Sequence, residues 1–247
     1  MEQKVLDIME RVAAAARSAG RNPDDVRLMF VTKNADAQTI LKLAAIWSER
    51  GKGPLVTGEI DVRAAEEKFM YVGGVGMERH FIGRLTHGQT RDKRLMDLMV
   101  EVFDCVESVG SVHTAKAISN AVARVGETWS EKKIMPVYLQ VNFSSEKSKG
   151  GVAPSEAEAA YVEISKLSGV KVVGIMTIAP HPTENGENKD EIKRCFTEAK
   201  RLSDKLGLKR TSMGMTYDFE VAIAQGSDEV RIGRAIFESE QIGEAPR

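Results

Sequence analysis

Short apolar runs alternate with segments of helical periodicity along the chain, and this alternation limits the fold more than any other feature of the sequence. The runs that predict strands are eight in number: Leu28–Thr32, Pro54–Thr57, His80–Ile82, Phe103–Val106, Met135–Val141, Val170–Ile178, Thr211–Met213 and Glu229–Ile232. Each is followed by a segment with helical spacing, which is typical of a parallel sheet covered by helices. Eight such units in 247 residues predict a (βα)8 TIM barrel.

An additional N-terminal helix is predicted over residues 2–19, where apolar side chains recur at helical spacing. The main alternative fold is a doubly wound open sheet. Such a sheet usually begins with a glycine-rich turn, and none follows Val31. No linker rich in proline, glycine or serine divides the chain, so we expect one domain over residues 1–247.

Composition excludes several classes of protein. The net charge of −1 gives no general attraction to nucleic acid or to an anionic membrane. Charged residues interrupt the N-terminal segment, and no apolar run approaches the ~18 residues of a membrane helix. Cys105 and Cys195 are too few for a disulfide framework and fall at positions typical of a core. We therefore expect a soluble, cytoplasmic protein.

The residues at the predicted strand ends are where chemistry is expected, because active sites of this fold gather there. Lys33 follows the first strand, and a lysine in that place is either paired at the rim or used chemically. Gly214 and Gly233 follow the seventh and eighth strands, with hydroxyl side chains nearby. Glycines and a helix N-terminus at these two strands predict a phosphate site.

A lysine, a phosphate site and an arginine at the last strand together suit pyridoxal 5′-phosphate. The amine of Lys33 would bond the aldehyde of the cofactor as an aldimine. If Arg231 faces the ring nitrogen, its permanent charge disfavours protonation of that nitrogen. Transamination would then be disfavoured, whereas racemisation or holding of the cofactor without turnover would remain open.

These residues belong to longer motifs that resemble a known family over nearly the whole chain. The chain resembles the pyridoxal phosphate homeostasis proteins, which are single-domain barrels similar to the N-terminal barrel of alanine racemase. The motifs that carry the resemblance are Val31-Thr32-Lys33, Gly58-Glu59, His80-Phe81-Ile82-Gly83, Gln140-Val141-Asn142 with Lys149, Gly174-Ile175-Met176, the stretch from Ser212-Met213-Gly214-Met215-Thr216 to Ile223, and the stretch from Val230-Arg231-Ile232-Gly233 to Phe237.

The resemblance implies Lys33 as the Schiff-base lysine and Arg231 as the residue facing the pyridine nitrogen. It also implies phosphate contacts from Ser212, Thr216 and the backbone near Gly214 and Gly233, while Met176 lines the pocket. It implies no catalytic residue beyond the role of Lys33. The expected function is to hold pyridoxal phosphate and deliver it inside the cell, with apo-enzymes as partners and the monomer as the expected state.

The sequence departs from the family pattern in three places. Ile60 stands where the family usually has asparagine. Thr86-His87-Gly88-Gln89 replaces a stretch that usually ends in a basic residue, and the loop Ser48–Gly53 is longer than typical. We therefore expect weaker cofactor contacts, or contacts supplied by other residues.

Two other functions remain open from the sequence. The first is a single-domain amino-acid racemase or related enzyme, which needs a second base opposite the lysine. The tyrosines Tyr71, Tyr138, Tyr161 and Tyr217 offer no clearly placed base, and no second domain is expected before Arg247. The second is a phosphate-binding barrel in which Lys33 is only a point charge. No metal is expected, because His87, His113 and His181 lack metal-ligand spacing.

Overall fold

Eight parallel strands close into a barrel in the computed structural model, which describes residues 1–73, 75–126, 134–144, 146 and 149–238. The strands are β1 (Arg27–Val31), β2 (Leu55–Glu59), β3 (Met77–Phe81), β4 (Cys105–Val109), β5 (Met135–Gln140), β6 (Val170–Met176), β7 (Arg210–Ser212) and β8 (Glu229–Ile232). Each strand pairs with the next, and β8 pairs with β1 in the register Met29 to Arg231. The predicted TIM barrel is confirmed, and the doubly wound alternative is wrong.

Helices connect the strands on the outside. Within the described ranges they are α1 (Glu2–Ser18), α2 (Ala37–Arg50), α3 (Val62–Val72), α4 (His87–Arg91), α5 (Lys93–Val102), α6 (Val112–Gly126), α7 (Ala157–Ser165), α8 (Lys189–Lys205), α9 (Phe219–Ala224) and α10 (Arg234–Phe237). The predicted N-terminal helix is confirmed as α1. No helix of the described residues is both long enough and apolar enough to span a bilayer.

Local capping fixes where several helices begin. Asp36 accepts a hydrogen bond from the Thr39 amide at 2.8 Å at the start of α2, and Asp61 accepts one from the Ala64 amide at 2.9 Å at the start of α3. These side chains satisfy amides that the first helical turn leaves free. The helices therefore start directly after the loops that leave β1 and β2.

The main apolar core lies between the barrel wall and the helices, while the barrel interior is largely polar. In β8, Val230 and Ile232 belong to the outer apolar cluster, whereas Glu229 and Arg231 are buried with other polar groups. This follows from the period of two in a strand, which sends successive side chains to opposite faces. Helix α1 packs Val5 and Ile8 into that outer cluster. Cys105 and Cys195 are buried as predicted.

Candidate functional site

The parallel strands bring the predicted site residues to one end of the barrel. Lys33 lies two positions beyond β1, while Met176 and Ser212 are the last residues of β6 and β7 and pair in register. Gly214 and Gly233 follow β7 and β8. This end is the carboxyl end of all eight strands, where the sequence predicted the site.

Lys33 has an exposed side chain, and its amine makes no hydrogen bond or ion pair within the described residues. Its main chain is held instead. The Thr32 amide donates to the carbonyl of Gly58 at 3.0 Å, and the Ala35 amide donates to the carbonyl of Thr32 at 2.9 Å. The residues that flank Lys33 are therefore held by main-chain hydrogen bonds, while its amine has no partner within the described residues.

Arg231 is a buried cation that forms no ion pair within the described residues. Only 4% of it is exposed. Its Nη1 donates to Ser212 Oγ at 2.7 Å, and its Nη2 donates to the carbonyl of Thr177 at 2.9 Å. Ser212 Oγ in turn donates to Glu107 Oε2 at 2.6 Å. The guanidinium is thus balanced by a carboxylate through a bridging hydroxyl, and it retains N–H groups beyond the two used here.

The predicted phosphate residues differ in how they are engaged. The hydroxyl proton of Ser212 is directed to Glu107, so its predicted phosphate contact would require a rotation or the main chain. The hydroxyl of Thr216, which is half-buried, has no hydrogen-bond partner within the described residues. The predicted roles of both residues stay predictions.

A side chain would collide with the fold at the first of the two predicted glycines and would be crowded at the second. Gly214 has φ +93°, and a Cβ there would lie 2.5 Å from the Cβ of Ala222. A Cβ on Gly233 would lie 3.1 Å from the Cβ of Val31. Only glycine therefore fits the first position without strain. Packing alone accounts for Gly214, so a role in phosphate binding rests on its main chain.

Met176 lies inside the barrel, below the rim at which the strands end. It is 1% exposed and packs with Cys105 and Tyr138 inside the barrel. Burial raises the pKa of the Cys105 thiol well above its usual range. That thiol is consequently inert at neutral pH, and Met176 forms part of the apolar floor beneath the site.

His80 stands at the centre of a charged network that the sequence analysis did not find. Its Nδ1 lies 2.6 Å from Glu107 Oε1, and its Nε2 lies 2.8 Å from Glu78 Oε1. Burial would lower the pKa of His80, but Glu229, Glu107 and Glu78 together raise it to about 10. The ring is therefore an imidazolium at neutral pH.

The pKa values of two glutamates in this network are shifted in opposite directions. Burial works to raise the pKa of Glu107, yet the hydrogen bond from His80 and its charge hold that pKa at about 2. Burial and the neighbouring Glu107 raise the pKa of Glu229 to about 8. The Glu229 oxygens accept no hydrogen bond within the described residues. Arg27 Nε lies 3.5 Å from Glu229 Oε2, and this positive charge works against the rise of the Glu229 pKa.

The same three side chains are close enough to be considered as metal ligands. Ligand atoms of His80, Glu107 and Glu229 lie within 4.8 Å of one another. Both ring nitrogens of His80 already face carboxylates, which is the arrangement of an imidazolium rather than of a metal-bound imidazole. The network accordingly suits a buried proton, and the expected absence of a metal stays a prediction.

A cavity of about 790 Å³ opens beside the site, at the ends of β2 to β6. The departures Ile60 and Thr86–His87 line it together with Arg84, and His113 stands 5.1 Å from His87 between ring centroids. Thr86 and Gln89 form a reciprocal capping box at the start of α4. The unusual segment is thus an ordered helical turn on the wall of this cavity.

The chain is similar to known proteins over nearly its whole length. The family model described as alanine racemase, N-terminal domain, matches residues 8–241. A pyridoxal phosphate homeostasis protein of Haemophilus influenzae is 30% identical over 236 residues, which cover 93% of this chain and 92% of that protein.

Two solved structures have a similar fold over nearly their whole length. A protein of Bifidobacterium adolescentis, described as unknown, has a TM-score of 0.81 and 29% identity, with 96% of this chain and 94% of that chain covered. PipY of Synechococcus elongatus, solved with PLP bound, has a TM-score of 0.71 and 26% identity, with 93% and 99% covered.

Proposed function

This chain belongs to the alanine racemase N-terminal domain family and is a member of its pyridoxal phosphate homeostasis proteins, and we propose that it binds pyridoxal 5′-phosphate and acts in the homeostasis of that cofactor. The observation that carries the proposal is that Lys33 and Arg231 lie at the same end of the barrel. The amine of Lys33 has no partner within the described residues, and the buried Arg231 forms no ion pair with them. The PLP-bound structure of PipY supports the same ligand.

Lys33 is the proposed attachment point. Pyridoxal phosphate supplies an aldehyde that condenses with a primary amine. The amine of Lys33 is exposed and has no partner within the described residues, so no ion pair has to be broken before it reacts.

Arg231 is proposed to face the ring nitrogen. Its remaining N–H groups fit an acceptor such as an unprotonated pyridine nitrogen, because a guanidinium donates and never accepts. Glu107 balances its charge through Ser212 without touching it. An unprotonated ring withdraws electrons weakly, which favours holding the cofactor over transamination.

The phosphate is proposed to lie against the loops after β7 and β8. Thr216 offers a hydroxyl without a partner in the described part of the chain, and the backbone near Gly214 and Gly233 offers amides. Ser212 and Met176, which lie deeper in the barrel, are the remaining residues proposed to contact the cofactor. We further propose that the protein acts as one monomeric domain in the cytoplasm and delivers its cofactor to apo-enzymes.

A weak racemase activity is the second candidate, and Tyr217 is the residue that keeps it open. Tyr217 is 56% exposed at the rim, where Arg234 lies 4.6 Å above its ring. Tyr138 is buried inside the barrel and Tyr71 is exposed on α3. A racemase would need a base opposite Lys33, and Tyr217 is the tyrosine of this set at the mouth.

The decisive experiment mixes the protein with pyridoxal phosphate, records the absorption spectrum, and reduces the mixture with borohydride before peptide mass analysis. We expect a visible band and a reduced adduct on Lys33. Lys33→Ala should lose both, while Lys42→Ala, an exposed lysine of α2, should keep both. Absence of the band and adduct in the wild-type protein would refute the proposal in favour of a different phosphate ligand.

The same preparation separates a carrier from an enzyme. A carrier should release the cofactor to an apo-enzyme, measured as recovered activity of that enzyme, and should not racemise amino acids. Racemisation that is lost in Tyr217→Phe would favour the second candidate.

A further inference from the structure

Glu59 at the end of β2 is a buried carboxylate that belongs neither to the barrel interior nor to the proposed cofactor contacts. It is 1% exposed. Its Oε1 accepts a hydrogen bond from Thr32 Oγ1 at 2.7 Å and another from Lys68 Nζ at 2.6 Å. It therefore connects the residue before Lys33 to the outer helix α3.

Lys68 uses all three of its N–H groups at this place. Besides Glu59, its Nζ donates to the carbonyl of Thr32 at 3.0 Å and approaches the carbonyl of Lys33 at 3.5 Å. Its side chain is only 14% exposed. The two carbonyls flank the Cα of Lys33, from which the Lys33 side chain departs.

The two lysines are thus close in space but differ in chemistry. The ammonium of Lys68 is paired and saturated with acceptors, whereas the amine of Lys33 is without a partner in the described residues. Lys68 would have to give up these contacts before it could attack an aldehyde, whereas Lys33 has none to break within the described residues. Lys68 is therefore suited to hold the main chain rather than to react.

We propose that Glu59 and Lys68 are positioning residues that fix the main chain of Lys33 and so aim its amine into the barrel mouth. This inference rests on the proposed function of Lys33. A displacement of about 1 Å in a reacting group can cost about a hundredfold in rate. Loss of either partner should accordingly slow the reaction of Lys33 without removing any group that touches the cofactor.

The test compares Lys68→Met with Lys68→Arg and with the control Lys42→Met. Lys68→Met removes the charge but keeps most of the length of the side chain. Lys68→Arg keeps a cation that can pair with Glu59 but has no primary amine. We expect Lys68→Met to slow adduct formation at Lys33 by about tenfold or more. Lys68→Arg should recover most of the rate, and Lys42→Met should match the wild type.

A second readout needs no cofactor. Hydrogen exchange of the amides of Thr32 and Ala35 reports whether the turn before and after Lys33 opens. We expect about tenfold faster exchange in Lys68→Met and in Glu59→Gln. Because Glu59→Gln leaves a buried ammonium unpaired and could fail to fold, Glu59→Gln/Lys68→Met serves as the neutral replacement.

The outcomes separate this inference from the function on which it rests. A wild-type protein that forms no adduct on Lys33 would contradict the proposed function. A wild-type adduct together with rates and exchange within twofold of wild type in folded Lys68→Met would overturn the positioning role alone. Slow reaction that Lys68→Arg fails to restore would also count against it.

Discussion

Replacement of His80 by leucine is expected to cost about 3–5 kcal/mol of unfolding free energy near pH 6, because removal of one partner leaves buried charges uncompensated. The imidazolium faces Glu107 at 2.6 Å and Glu78 at 2.8 Å. The rise of its pKa from 6.5 to about 10 corresponds to roughly 5 kcal/mol at ~1.4 kcal/mol per pKa unit. The loss expected from the buried ion pairs and the energy that corresponds to the pKa shift thus have the same order of magnitude.

The pH dependence of this effect has a definite sign. The pKa of His80 is raised in the folded state, so the folded protein holds the proton more tightly than the unfolded chain does. The stabilisation is complete below pH 6.5, the ordinary pKa, and is lost as the pH rises through about 10. The difference between the wild type and His80→Leu should therefore be largest near pH 6 and shrink toward pH 10.

Urea denaturation followed by circular dichroism between pH 6 and pH 10 measures this difference. His181→Leu, a replacement of an exposed histidine, should stay within about 0.5 kcal/mol of wild type. The double variant His80→Leu/Glu107→Leu should lose less than the sum of its singles, because no lone charge remains at that pair. A His80→Leu protein within about 1 kcal/mol of wild type near pH 6, or a difference that does not change with pH, would refute the reasoning.

Three smaller changes follow from local geometry and are measured by the same denaturation assay. Asp61→Ala removes the cap of α3 and should cost about 1 kcal/mol; an unchanged stability would mean that the cap contributes nothing. Gly83→Ala would put a Cβ 2.2 Å from the carbonyl oxygen of Ile60 and should cost about 1–3 kcal/mol, whereas a neutral effect would show that this loop yields freely. Lys205→Ala breaks an exposed pair with Glu158 and should change stability by less than about 1 kcal/mol; a larger loss would contradict the weak value assigned to exposed pairs.

The fold was predictable because short apolar runs mark much of the barrel wall and segments with helical spacing follow them. The boundaries were less so. The third strand begins at Met77 rather than at the predicted His80, because Glu78 points into a charged interior that an apolar pattern cannot reveal. The predicted fourth strand starts too early, since Phe103 ends helix α5.

The position of a candidate site residue was predictable only where it lies at or next to the carboxyl end of a strand. Lys33 and Arg231 could be placed at one end of the barrel from topology alone. The network around His80 could not be predicted, because Glu107 and Glu229 come from other strands and each member looks like an ordinary charged residue. A usable signal exists: Glu229 and Arg231 alternate with buried apolar residues within one strand, which marks an inward polar face. Lys68 had no such signal, because its role depends on how α3 packs.

Closure of the barrel by β8 against β1 sets the order in which the protein can mature. Arg231 pairs in register with Met29, which lies about two hundred residues earlier in the chain. The residues of β1 and Lys33 are synthesised long before those of β8. The amine therefore exists on the nascent chain without its guanidinium counterpart. The proposed site, which needs both residues, can therefore be complete only after the last strand pairs with the first.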